Sequence, residues 1–176
     1  MNANKTPRLL VADDDLGVIA AYRHVLEKQA ATRTAPNGEH FAALEKDLFG
    51  KPGRADAAPW RVHFVDQGED AVAAIETSIR ENDPFSAVFL DIRMPPGIDG
   101  HETAKLIRVI DPNVHIVIVS GYSDYDLDEI EDVCGGPEQM TFLPKPVWPD
   151  ELRAIAARVV AERNRSIAAE ANGRLG

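Results

Sequence analysis

With 176 residues the chain is long enough for one domain with appendages, and a domain of that size buries roughly two-thirds of its unfolded surface. Hydrophobic residues make up 44% and charged residues 27%, the composition of an ordinary soluble globular protein. The formal net charge is -10, from 29 acidic and 19 basic residues, which argues against direct contact with a nucleic-acid phosphate backbone. The apolar stretch Leu9 to Ala12 gives way to three aspartates, so neither a signal peptide nor a membrane insertion is expected. The single Cys134 suits a reducing, cytoplasmic setting. The five histidines are scattered, with no metal-ligand spacing to that cysteine.

Arg8-Leu-Leu-Val-Ala12 reads as a buried strand that runs into Asp13-Asp14-Asp15. Adjacent carboxylates repel one another. A solvated turn can hold them, and a bound cation would offset the repulsion. Gly17 to Lys28 follows as a helix, with Ile19, Tyr22, Val25 and Leu26 at helical spacing. Residues 31–60 are an enlargement before the second strand. Asn37-Gly38 marks a turn, Phe41, Leu44 and Leu48 line a short helix around Glu39 to Leu48, and Ala55 to Pro59 reads as loop. Val62 to Val65 is the second strand. The next helix carries Ala71, Val72, Ile75 and Ile79 on one face and ends at Asn82-Asp83-Pro84.

Ala87 to Leu90 is an apolar run suited to a buried strand and too short for a helix. Asp91 ends it, and Met94-Pro95-Pro96-Gly97 can continue neither strand nor helix. A lone aspartate at such a place commonly caps a turn. At the carboxyl edge of a parallel α/β sheet, where ligands bind, it is also placed to act as a nucleophile. Gly100 to Ile110 is helical, with Ala104, Ile107 and Ile110 inward. Val114 to Val119 is a fourth strand ending at Ser120, and a thin helix spans about Asp124 to Val133. Met140 to Leu143 is a fifth strand, ending at Pro144-Lys145-Pro146. A long helix opens near Pro149-Asp150, carries Leu152, Ile155, Val159 and Val160, and runs to about Ala171.

Strands alternating with helices predict an α/β fold, a parallel sheet covered on both faces. Parallel strands point the same way, so Asp13, Asp14, Asp91, Ser120 and Lys145 gather at one edge. This set, with Met94-Pro95 and Asp99-Gly100 behind Asp91, Gly121 after Ser120 and Pro146 after Lys145, resembles the receiver domain of bacterial two-component response regulators. Each motif alone is weak and the five in order are strong. Lys145 alone could be a surface lysine, and Ser120 a turn serine.

The resemblance implies a flavodoxin-like, doubly wound five-stranded sheet in the order 2-1-3-4-5. It also implies that Asp91 takes a phosphoryl group from a phosphohistidine. Asp14, Asp91 and the Arg93 backbone carbonyl would bind Mg²⁺, with Asp13 acting through water and Lys145 meeting a phosphoryl oxygen. Ser120 would turn to the new phosphoryl group, and Phe142, three residues before the lysine, would turn inward as the switch. A plain core role for Phe142 is the simpler alternative. A cis Lys145-Pro146 bond is implied as well.

On this reading residues 1–163 are the receiver, with 31–60 inserted after the first helix, and 164–176 an extended C-terminal helix or linker. The expected partners are a histidine kinase or histidine phosphotransfer protein and an output domain in cis or a partner protein. A phosphorylation-dependent homodimer is compatible with the same pattern. Three features depart from the family: the insertion, an extra residue in Pro95-Pro96-Gly97-Ile98, and Pro144, which is tolerable on an edge strand. Two competitors remain. One is a receiver-fold scaffold that docks or dimerises without phosphorylation. The other is a phosphohydrolase of the haloacid dehalogenase type, whose second aspartate is replaced here by Arg93. The favoured reading is a phosphoacceptor rather than a turnover enzyme.

Overall fold

The structure, a computed structural model, describes residues 5–27, 59–121 and 138–173, with side chains as far as residue 166. Five parallel strands form one sheet: β1 (Arg8–Ala12), β2 (Arg61–Val65), β3 (Ala87–Asp91), β4 (His115–Ser120) and β5 (Met140–Pro144). Their spatial order is β2-β1-β3-β4-β5, as the resemblance implied. The described helices are α1 (Leu16–Glu27), α2 (Gly68–Arg80), α3 (Gly100–Ile110) and α4 (Pro149–Gly173). The expected helices around 39–48 and 124–133 lie outside the described residues, as does nearly all of the 31–60 insertion.

The strands are apolar runs because both faces of the sheet are covered. Side chains alternate between faces along each strand. Leu10, Val88, Leu90, Ile116 and Ile118 pack with Ala71 and Ile75 of α2 and Ala104 and Ile107 of α3. Leu9, Val11, Phe89, Val117 and Val119 pack on the other side with Tyr22 and Leu26 of α1 and Leu152, Ala156, Val159 and Val160 of α4.

One inward assignment is corrected. Ile79 is 41% exposed, while Ser78 is fully buried. The inner face of α2 runs through Ala71, Ile75 and Ser78, leaving Ile79 on its border. The Ser78 hydroxyl tolerates burial because it donates to the Ile75 carbonyl at 2.8 Å.

Two side chains complete the carboxyl end of α1, whose last carbonyls lack helical partners. Trp60 Nε1 donates to the Leu26 carbonyl at 3.1 Å, and Arg153 Nε donates to that of Val25 at 2.8 Å. The chain therefore leaves and re-enters the described fold, on either side of residues 28–58, at one pinned place.

Pro144 sits on β5, an edge of the described sheet, where its missing N–H is tolerated. The Lys145-Pro146 bond is cis, and so is Pro95-Pro96, which nothing in the sequence reading anticipated. α4 runs unbroken through residue 163, and its last buried side chain among the described residues is Ala161. Among the described residues no helix is long and apolar enough to cross a membrane.

Candidate functional site

The chain passes from β1 to β2 on one side and then crosses to β3 on the other. The carboxyl ends of β1 and β3 thus flank the reversal in strand order, where open α/β sheets bind ligands. Asp13 and Asp14 follow β1, and Asp91 ends β3.

The three consecutive aspartates have separate tasks. Asp15 caps α1, its Oδ1 accepting from the Gly17 and Val18 amides at 2.7 and 3.3 Å. Asp13 is 1% exposed. Its Oδ1 accepts from the Asp15 amide at 3.0 Å and its Oδ2 from Lys145 Nζ at 2.8 Å. Asp14 is half-buried beside it.

Asp91 is fixed through both oxygens. Oδ1 lies 2.7 Å from Lys145 Nζ, and Oδ2 accepts from the Arg93 amide at 2.9 Å. Gly100 brings the start of α3 against this residue. A Cβ there would lie 2.2 Å from the Asp91 carbonyl oxygen, so only glycine permits the approach. Asp99 caps α3 by accepting from the Glu102 amide at 2.8 Å, and buried Met94 anchors the loop between. These contacts give Met94, Asp99 and Gly100 a shared task, fixing the loop that follows Asp91.

Lys145 comes from the end of β5, and its amide donates to the Ser120 carbonyl at 2.8 Å. Ser120 is buried at the end of β4, and its hydroxyl donates to the Gly121 carbonyl at 3.3 Å. Phe142 is half-buried and packs against the cluster shared with α2 and α3.

Charge is concentrated here. Burial pushes the Asp13 carboxyl above its usual pKa, against the opposing hydrogen bonds from Lys145 and the Asp15 amide. Burial would lower that of Lys145, but its bonds to Asp13 and Asp91 outweigh burial and hold the ammonium charged. The Tyr22 hydroxyl is pushed up by burial and then by the charges of Asp13, Asp91 and Glu151. One oxygen each from Asp13, Asp14 and Asp91 lie within 4.8 Å of one another. Opposite ligands of an octahedral Mg²⁺ stand only about 4.2 Å apart, a little less than that limit, so the hard oxygen chemistry of the set suits the ion with a carboxylate reaching it through water.

Two further residues touch the loop after Asp91 and escaped the sequence reading. Gln67 Oε1 accepts from the Gly97 amide at 3.1 Å, and its Nε2 donates to the Pro95 carbonyl at 3.3 Å. Glu69 Oε1 accepts from the Ile98 amide at 3.1 Å. Contacts about thirty residues apart leave no local signal.

Fold and site together define a receiver-type α/β domain. The chain belongs to the response regulator receiver domain family, whose model matches residues 55–157. That match begins after Asp13 and Asp14, and the folding of β1 between β2 and β3 restores both to the site. The chain is 29% identical over 144 residues to histidine kinase 1 of Arabidopsis thaliana, covering 80% of this chain and 12% of that protein. It is 30% identical over 87 residues to sporulation initiation phosphotransferase F of Bacillus subtilis, covering 49% of this chain and 65% of that one. The chain thus spans less than two-thirds of either curated relative. A CheY-like response regulator receiver domain protein of Methanospirillum hungatei has the same fold, with a TM-score of 0.62 at 18% identity over 92% of this chain and 99% of that one.

Proposed function

We propose that the domain is a phosphorylation-dependent switch in which Asp91 takes a phosphoryl group from a phosphohistidine on a histidine kinase or phosphotransfer protein. The observation that carries this reading is the convergence of Asp13, Asp14, Asp91 and Lys145 at the switch point of the sheet. The printed names of the two curated relatives, a histidine kinase and a phosphotransferase, support a partner of that kind.

An Asp91 oxygen attacks phosphorus, the phosphorus–nitrogen bond breaks, and the imidazole leaves with the bonding pair and takes up a proton. Asp14, Asp91 and the Arg93 carbonyl would hold Mg²⁺, with Asp13 reaching it through water. Bound there, the ion supplies the positive charge that lets a carboxylate meet an anionic phosphoryl group. Lys145, already beside Asp91, exchanges its ion pair with that carboxylate for one with a phosphoryl oxygen. Ser120 exchanges the Gly121 carbonyl for another phosphoryl oxygen, and Phe142 moves into the vacated space. The surface around β5 and α4 then relays the state to an output domain in cis or to a partner. The domain assists its own phosphorylation and dephosphorylation and turns over no separate substrate.

The test is uptake of phosphoryl from a small acyl phosphate. Wild-type protein takes up one group with Mg²⁺ and none in chelator, and Asp91→Asn takes up none. Labelling of Asp91→Asn equal to wild type sinks the reading.

A further inference from the structure

We infer that Gln67 and Glu69 are positioning residues for the phosphoacceptor site, acting through the loop that follows Asp91. The inference rests on the reading above, in which the Arg93 backbone faces a metal.

The loop from Arg93 to Asp99 carries two prolines, Pro95 and Pro96. Its base is closed by the Gly100 amide donating to the Ile92 carbonyl at 2.8 Å. Within it, Pro95 and Pro96 form a turn. Two side chains from the start of α2 meet the polar backbone of this loop: Gln67 on Pro95 and Gly97, and Glu69 on Ile98.

Three observations mark this as a built contact. Gln67 occupies the N-cap position of α2 yet makes no side-chain cap there, so its amide is committed to the loop. A Cβ on Gly97 would lie 2.3 Å from Glu69 Oε2 and 2.7 Å from Gln67 Oε1, so the bare backbone lets both side chains close on it. A Cβ on Gly68 would lie 2.2 Å from Thr103 Oγ1 and 2.7 Å from Ile98 Cγ1, so Gly68 is what brings α2 within reach. The loop's course fixes where Arg93 stands, and the Arg93 amide already holds Asp91 Oδ2. Releasing the clamp therefore loosens the backbone beside the nucleophile without removing any group that touches metal or phosphoryl.

The test uses the full chain and four variants: Gln67→Ala, Gln67→Glu, Glu69→Gln and the double alanine variant. Amide hydrogen exchange at Gly97 and Ile98 is read without metal, followed by Mg²⁺ affinity and phosphorylation rate. The double variant exchanges faster at both amides and binds Mg²⁺ about tenfold or more weakly, the usual cost of losing a group that orients a ligand. Glu69→Gln keeps the acceptor and stays close to wild type. This separates the clamp from a mere charge at the α2 N-terminus. Gln67→Glu keeps the Gly97 acceptor, loses the donor to Pro95 and falls between. A double variant that matches wild type in Mg²⁺ affinity and rate overturns the positioning role, even if its amides exchange faster. A wild-type protein that neither binds Mg²⁺ nor takes up phosphoryl overturns the phosphoacceptor reading and this inference with it.

Discussion

Lys145 bridges Asp13 and Asp91, its Nζ 2.8 Å from Oδ2 of the first and 2.7 Å from Oδ1 of the second. One ammonium thus holds together the carboxyl ends of β1 and β3 from the end of β5. Removing it leaves two buried carboxylates facing each other with Asp14 beside them. Lys145→Ala should therefore destabilise the metal-free protein by about 1–3 kcal/mol, less than a fully buried pair because the lysine is partly exposed. Mg²⁺ should recover most of that loss, since it meets the same carboxylates, and should bind more tightly than to wild type. Phosphorylation should fall by about 10²-fold or more, the usual effect of removing one charge-stabilising donor. Urea denaturation with and without Mg²⁺, and labelling rates, check these outcomes.

Gly100→Ala forces a methyl against the Asp91 carbonyl and Ile92 Cα, both backbone atoms. Neither can move without shifting β3 or α3. The cost should be about 1–3 kcal/mol, that of inserting a methyl into a packed site. Denaturant midpoints measure it. Phosphorylation should fall as well, because the shift moves the nucleophile.

His115 gives a pH dependence away from the site. It is buried on β4, its Nε2 2.9 Å from Thr141 Oγ1. Burial, then the charges of Arg158 and Arg108, lower its pKa from 6.5 to about 4. The folded state therefore keeps it neutral over a range where the unfolded chain protonates it. Its contribution to stability is present above pH 6.5 and is lost as pH falls towards 4, reaching about 2 kcal/mol by pH 5. Wild type should lose that much more stability between pH 7 and pH 5 than His115→Gln. Equal losses would refute the assignment.

Arg93 lies on the surface two residues past Asp91, and its amide donates to Asp91 Oδ2. On the proposed function, its side chain governs access of hydrolytic water to a phosphorylated Asp91. Arg93→Ala should leave the backbone contact in place and speed dephosphorylation several-fold. An unchanged rate of label loss would end this role.

Much of this architecture was legible because the chemistry lies where apolar runs stop. Ala12, Leu90, Val119 and Leu143 each end a buried stretch, and the next polar residues converge once the strands are parallel. Pattern could not separate the duties of Asp13, Asp14 and Asp15, since three like residues in a row differ only in what they face. It also misplaced Ile79, because a helix interior tolerates a serine whose hydroxyl returns to its own backbone. The Gln67 and Glu69 contacts depend on how closely Gly68 lets α2 approach Thr103 and Ile98. That is a property of packing between distant segments and leaves no trace in spacing.

The most direct test of the central claim locates the phosphoryl group. An aspartyl phosphate is an acyl phosphate, which borohydride reduces to homoserine, so the modified residue can be read by peptide mass. Protein treated with a small phosphodonor and Mg²⁺ should carry homoserine at position 91 and at neither 13 nor 14. Homoserine at another aspartate, or a stable phosphate ester on Ser120 with position 91 unmodified, would contradict the account.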